Sequence, residues 1–305
     1  MKPVDQTRLT RRRLLGLLAG TTIGPLASAS AIRARSDGAP TPRPPPTESP
    51  NATVELDAAP GTVSPAPGVS AENWLYDGAF PGPELRVAED DVVRVDLTNA
   101  LPEGTTIHWH GVPVANAMDG VPNVTQQPVA PDDTFTYQFR ATPAGTYFFH
   151  SHVGLQLDRG LLAPLIVEES DPHVPFDREY TLVLDDYLAG EPRPLSAFAG
   201  QQGPEGGGGP GGRGPGGGPG GGGPGGGPGG GGPGGGQGAF RRPSYDGLLI
   251  GGRLPEEPRR YEVDEGERVR LRFVNASSAT LFRVQAAGHR LTVTHADGRP
   301  VEPVT

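Results

Sequence analysis

Four of the seven histidines in this 305-residue chain fall into two short motifs, His108-Trp109-His110-Gly111 and His150-Ser151-His152. Alternate residues of a β-strand point to the same face, so each motif presents two imidazoles from one side of a sheet. About 40 residues separate the motifs, a distance over which two strands of one sandwich can bring all four rings together. Imidazole suits copper, zinc, iron or nickel, and a cluster with no thiolate and few carboxylates leans towards copper or zinc. Gly111 allows close backbone approach directly after the first pair. Trp109 alternates to the opposite face, which suits packing rather than chemistry. His173, His289 and His295 lie outside both motifs and suit surface or structural roles.

The remaining composition narrows the chemistry. The chain has no cysteine, which excludes disulfides, Cys-ligated zinc, iron–sulfur clusters, thiol nucleophiles and any copper centre built on a thiolate. A formal net charge of −9 gives no basis for a nucleic-acid partner, because phosphate binding needs a basic surface.

Positioning the histidines requires strands, and the sequence is rich in them. From Thr53 onward, short β-rich runs are broken by Pro, Gly, Asn and Asp, with no convincing helical period. Strands are predicted at Val54–Leu56, Asn73–Tyr76, Glu84–Val87, Asp91–Asn99, Thr105–His110, Thr134–Arg140, Gly145–His150 and Leu161–Glu168. A second set is predicted at Glu179–Leu184, Leu248–Ile250, Arg259–Val263, Arg268–Asn275, Leu281–Ala286 and Leu291–His295. The reading is all-β, a sandwich or Greek-key barrel.

The chain's 48 Gly and 36 Pro concentrate outside these runs. Residues 1–31 read as a twin-arginine export signal, with Thr10-Arg11-Arg12-Arg13-Leu14-Leu15-Gly16 before a weakly apolar run and a small-residue cleavage region. That address implies a periplasmic, cell-surface or extracellular protein with no stable membrane span after cleavage. Residues 32–52 read as a Pro-rich disordered spacer. Residues 203–238 form a Gly/Pro-rich insertion with almost no side chains to bury and no strict three-residue repeat, hence a flexible loop rather than a collagen helix.

The two histidine motifs resemble the first two of the four copper-binding motifs of the laccase-like multicopper oxidases. The likeness extends to Phe80-Pro81-Gly82-Pro83, Asp119-Gly120-Val121-Pro122 with Thr125-Gln126, Gly145-Thr146-Tyr147-Phe148-Phe149, His152-Val153-Gly154-Leu155-Gln156 and Gly160–Val167. It implies tandem cupredoxin-like Greek-key β-sandwich domains, one at 53–170 and a second at 171–305. It also implies a copper cofactor, with His108 as a type 2 ligand and His110, His150 and His152 as type 3 ligands of a three-copper cluster where O2 is reduced to water. Asp119 matches an acidic position that helps move protons; a turn former before Gly120 is the equal alternative.

Two departures from the family pattern qualify this expectation. The resemblance implies a type 1 copper held by Cys and two His, and four more cluster histidines, all from a final domain; none of these motifs occurs in the chain. No closing strand is predicted after the turn at Asp297-Gly298. The sequence therefore predicts a second domain that stops partway and a chain inactive by itself. It would contribute half the histidines of an exported oxidase that uses O2 and a small reducing substrate, phenolic or metal ion, and that requires the missing C-terminal domain. The alternative is a cupredoxin-fold module that binds copper or zinc without turnover.

Overall fold

The computed structural model describes residues 44–192 and 245–305. The export signal, the spacer up to residue 43 and the Gly/Pro insertion lie outside the described residues. Within them the chain is all-β, with a single 3-10 turn at Asn116–Met118.

Two four-stranded sheets form the first sandwich. One has the order β2-β1-β4-β6 and the other β3-β8-β7-β5, where β1 is Ala52–Ala66, β2 Val69–Tyr76, β3 Leu85–Ala88, β4 Val92–Asn99, β5 His108–His110, β6 Thr134–Arg140, β7 Gly145–His150 and β8 Leu162–Glu168. Alternation sets the core: Val93, Val95 and Leu97 of β4 and Tyr137 and Phe139 of β6 meet Trp109, Tyr147 and Phe149 from the opposing sheet. β8 is buried from Leu162 to Val167, as its continuous apolar run requires of a strand covered on both faces.

After β8 come β9 (Arg178–Tyr187), β10 (Gly247–Ile250) and β11 (Val269–Asn275), in a third sheet ordered β10-β9-β11, then a hairpin of β12 (Val293–Ala296) and β13 (Arg299–Val304). The third sheet repeats a device of the first. β1 runs parallel to β4 over Ala52–Ala58 and antiparallel to β2 from Ala58 on. β9 likewise runs parallel to β11 over Arg178–Leu184 and antiparallel to β10 over Leu184–Tyr187. Contacts bind the third sheet to the sandwich: Leu162 packs with Val183, Val274 and Ala276, while buried Arg272 pairs with Glu179 at 2.7 Å and donates to Thr146 Oγ1 at 2.7 Å.

Several elements differ from expectation. β1 is far longer than Val54–Leu56, because Pro60 falls in a half-strand with a ladder on one side only, where a missing N–H is tolerated. Residues 259–263 and 281–286 form no strand; Leu281 is 95% exposed, and apolar alternation without a ladder partner does not make a sheet. β13, by contrast, closes a hairpin despite Pro300 and Pro303, so the expectation of no strand after Asp297-Gly298 is corrected. The end of the spacer is also held in place, by Gln138 Nε2 donating to the carbonyls of Pro46 (2.9 Å) and Glu48 (3.1 Å).

β9 carries one buried acid with a pH consequence. Asp185 is 5% exposed and its Oδ1 accepts from the Asp186 amide at 2.9 Å. Burial, reinforced by the charges of Asp158 and Asp186, holds its carboxyl well above the usual carboxylate range. The folded state therefore keeps a proton that the unfolded chain releases near pH ~4, and stability present below that pH is lost as pH rises through the folded value. Asp185→Asn keeps the acceptor and mimics the protonated form. It is expected to raise the melting temperature at pH 8 more than at pH 4; an equal shift at both would refute the assignment.

Candidate metal centre

β5 and β7 are neighbours in antiparallel register, with His108 opposite His150 and His110 opposite Phe148. Trp109, Tyr147 and Phe149 point into the core. His108, His110, Phe148 and His150 therefore stand on the outer face, the side approached by the third sheet, and His152 follows directly after β7 ends. Trp109 is fully buried against Tyr137, Phe139 and Phe149, as its alternation predicted.

The four motif histidines converge. Ring centroids lie 5.4 Å apart for His108–His150, 5.7 Å for His108–His110, 5.3 Å for His108–His152, 5.6 Å for His110–His150 and 5.9 Å for His150–His152. His108, His110 and His150 each offer a ring nitrogen within 4.8 Å of the others. His152 joins them by ring contact, and both it and His110 are exposed, so one side of the cluster is open.

Hydrogen bonds decide which nitrogens face the centre. His108 Nδ1–H donates to the Asp119 carbonyl at 2.8 Å and His150 Nδ1–H donates to the Ser151 carbonyl at 2.8 Å. A carbonyl only accepts, so each Nδ1 carries the proton and each Nε2 keeps its lone pair. His150 Nε2 lies 3.4 Å from His110 Nδ1, and His110 stacks on Phe148 at 4.5 Å. Burial, with the neighbouring histidines as lesser causes, pushes His150 down to about 4 and lowers His110 as well. Both shifts favour the neutral ring, the state a metal requires. Neutral nitrogens, with no thiolate among them, fit a copper or zinc ion.

Asp119 sits at the end of the 3-10 turn. Its carbonyl holds His108, and its carboxylate Oδ1 lies 3.3 Å from the same Nδ1; turn former and carboxylate at the site coexist in one residue. Of the other histidines, His295 bonds Glu169 at 3.0 Å and packs against His173, while His289 is exposed.

Sequence reasoning missed the supports. Tyr137 OH accepts from the Ile107 amide at 2.8 Å, directly before the first pair. Thr105, Ser151 and Gln156 form a buried polar cluster behind the second. No periodicity marks such residues, although Gln156 stands within the stretch that carried the resemblance.

Residues 57–172 and residues 233–305 match two sequence families, both described as multicopper oxidase. A multicopper oxidase of Mycobacterium tuberculosis is 34% identical over 317 residues, covering 98% of this chain and 58% of that protein. Copper resistance protein A of Escherichia coli is 32% identical over 269 residues, covering 78% of this chain and 41% of that protein. The chain thus spans about half the length of the curated relatives it matches. In fold it is similar to the crystal structure of a blue copper oxidase from Nitrosomonas europaea, with a TM-score of 0.60 and 28% identity over 83% of this chain and 69% of the other. Among the described residues no helix is long and apolar enough to cross a membrane. Both stretches of strands answer to one family in sequence, and their tandem cupredoxin-like fold answers to it in structure, so the chain belongs to the laccase-like multicopper oxidases.

Proposed function

We propose that His108, His110, His150 and His152 supply half the histidines of a three-copper cluster in an exported oxidase. His108 serves the type 2 copper and the other three serve the type 3 pair. Bound copper would supply the one-electron chemistry that couples oxidation of a small reductant, phenolic or metal ion, to reduction of O2 to water. The observation that carries this reading is the convergence of three ring nitrogens within 4.8 Å, two of the rings being oriented by backbone carbonyls.

The chain's own residues do three things here. The carbonyls of Asp119 and Ser151 fix the tautomers of His108 and His150. Phe148 covers one face of His110 and excludes water from it. The Asp119 carboxylate, 3.3 Å from His108 Nδ1 and partly exposed, stands where it can pass a proton between solvent and the cluster. The twin-arginine address agrees with such a role, since that route carries proteins already folded around a cofactor.

With no cysteine in its 305 residues, this chain offers no thiolate to an electron-entry copper, an observation that also favours metal binding without turnover. Purified and loaded with Cu2+, the chain is expected to bind copper yet show neither intense blue colour nor oxidation of phenols. Colour or oxidation would overturn the inactivity of the isolated chain. Absence of any copper in the purified, dialysed protein would overturn the metal centre itself.

A further inference from the structure

Behind the histidine cluster lies a polar side chain whose hydrogen bonds all go to residues other than the histidines. Gln156 is 1% exposed, yet its amide uses its full hydrogen-bonding capacity. Its Oε1 accepts from Thr105 Oγ1 at 2.7 Å and from Ser151 Oγ at 2.6 Å. Its Nε2 donates to Glu103 Oε1 at 3.0 Å and to the Gly104 carbonyl at 2.9 Å.

These partners come from the two segments that carry the histidines. Glu103, Gly104 and Thr105 lead into β5, three residues before His108. Ser151 stands between His150 and His152, and its hydroxyl also accepts from the Val153 amide at 3.2 Å. The clamp holds one orientation only. Turning the amide over would face its oxygen to the Gly104 carbonyl and the Glu103 carboxylate, neither of which can donate. Burying a glutamine costs desolvation and rotamer entropy, where an apolar side chain of similar volume would fill the space with no polar group to desolvate. What the amide adds is a fixed relation between the two strand ends.

We propose that Gln156 is the positioning residue that sets the two histidine pairs in register, by clamping the segment before His108 to the serine between His150 and His152. This rests on the reading of the four histidines as a metal centre.

The test compares Gln156→Leu with the wild-type chain, using Cu2+ alone as the probe and counting copper per folded molecule. Affinity is expected to fall by roughly 10-fold or more, the scale seen when an outer support of a metal ligand is removed, with an altered Cu2+ EPR spectrum. The reciprocal pair Gln156→Glu with Glu103→Gln returns a donor–acceptor contact across the clamp and is expected to recover most of the affinity. Equal affinity and an identical EPR spectrum in Gln156→Leu would overturn the proposal, as would a reciprocal pair no better than Gln156→Leu. If the wild-type chain takes up no Cu2+, the metal-centre reading falls by itself. Gln156 is then judged on the imidazole 15N resonances of the metal-free chain: those of His150 and His152 shift in Gln156→Leu if the clamp sets their positions and stay put if it does not. Should Gln156→Leu fail to fold, Thr105→Val and Ser151→Ala each remove one hydroxyl from the clamp and carry the same comparison, with the same results for and against.

Discussion

His108→Ala combined with His150→Ala is expected to abolish nearly all copper uptake, while His110→Ala combined with His152→Ala keeps a weakened site. The asymmetry comes from position rather than number. His108 and His150 face each other across the β5–β7 ladder, and each makes ring contact with all three of the other motif histidines. Removing these two leaves His110 and His152 at the exposed margins of the cluster. Removing the margins instead leaves a facing pair whose Nδ1 protons are already committed to carbonyls, so both Nε2 lone pairs remain available to one ion. The loss of copper affinity in His108→Ala with His150→Ala should exceed the roughly 10–100-fold that follows loss of a hydrogen-bond partner to a ligand, because here the central ligands themselves are lost. Equilibrium dialysis against Cu2+ measures it. Equal retention by the two double variants would mean that the rings do not act as one site.

The histidine pairs were legible because two independent rules point at the same residues. Period two puts both rings of the first motif on one face of β5, and short spacing keeps His152 beside His150 although it lies just beyond the end of β7. The same alternation sent Trp109 inward and made the core sequences of β4, β6 and β7 readable, while β8 was readable from its continuous apolar run. Proline and isolated alternation misled the reading in opposite directions. Pro60 and the prolines of β13 suggested breaks where a one-sided ladder makes a missing N–H harmless. Residues 259–263 and 281–286 alternate plausibly but find no ladder among the described residues, and no local pattern encodes the presence of a partner strand. Gln156, Tyr137 and the Asp119 carbonyl were invisible for a third reason: each acts through a hydrogen bond to a segment distant in sequence, and a carbonyl is carried by every residue type.

Gly120→Ala is expected to cost about 3 kcal/mol of stability and to weaken copper binding with it. Gly120 has φ +72, and a Cβ there would stand 1.8 Å from the Ile107 carbonyl oxygen, 2.4 Å from its carbon and 2.9 Å from the His108 amide nitrogen. All three are backbone atoms, so no side-chain rotation relieves the clash. Retreat would have to move the chain entering β5, which the Tyr137 hydroxyl holds at the Ile107 amide. Left-handed backbone at a residue with a Cβ costs on the order of 1 kcal/mol, and forcing an extra methyl into a packed site adds ~1–3 kcal/mol. For a protein of this size that sum lowers the melting temperature by about 10 °C. Gly154→Ala separates the two contributions, since Gly154 also has positive φ (+51) but nothing within 4 Å of its would-be Cβ; it should show the conformational cost alone. The coupling to the site runs through Asp119, the residue directly before Gly120. Displacing this turn withdraws the carbonyl that fixes the His108 tautomer, so copper affinity should fall in Gly120→Ala even at temperatures where the protein is fully folded. Melting curves and copper titrations of the two alanine variants decide it, and a Gly120→Ala protein that melts and binds copper as Gly154→Ala does would show that this close approach does not hold His108 in place.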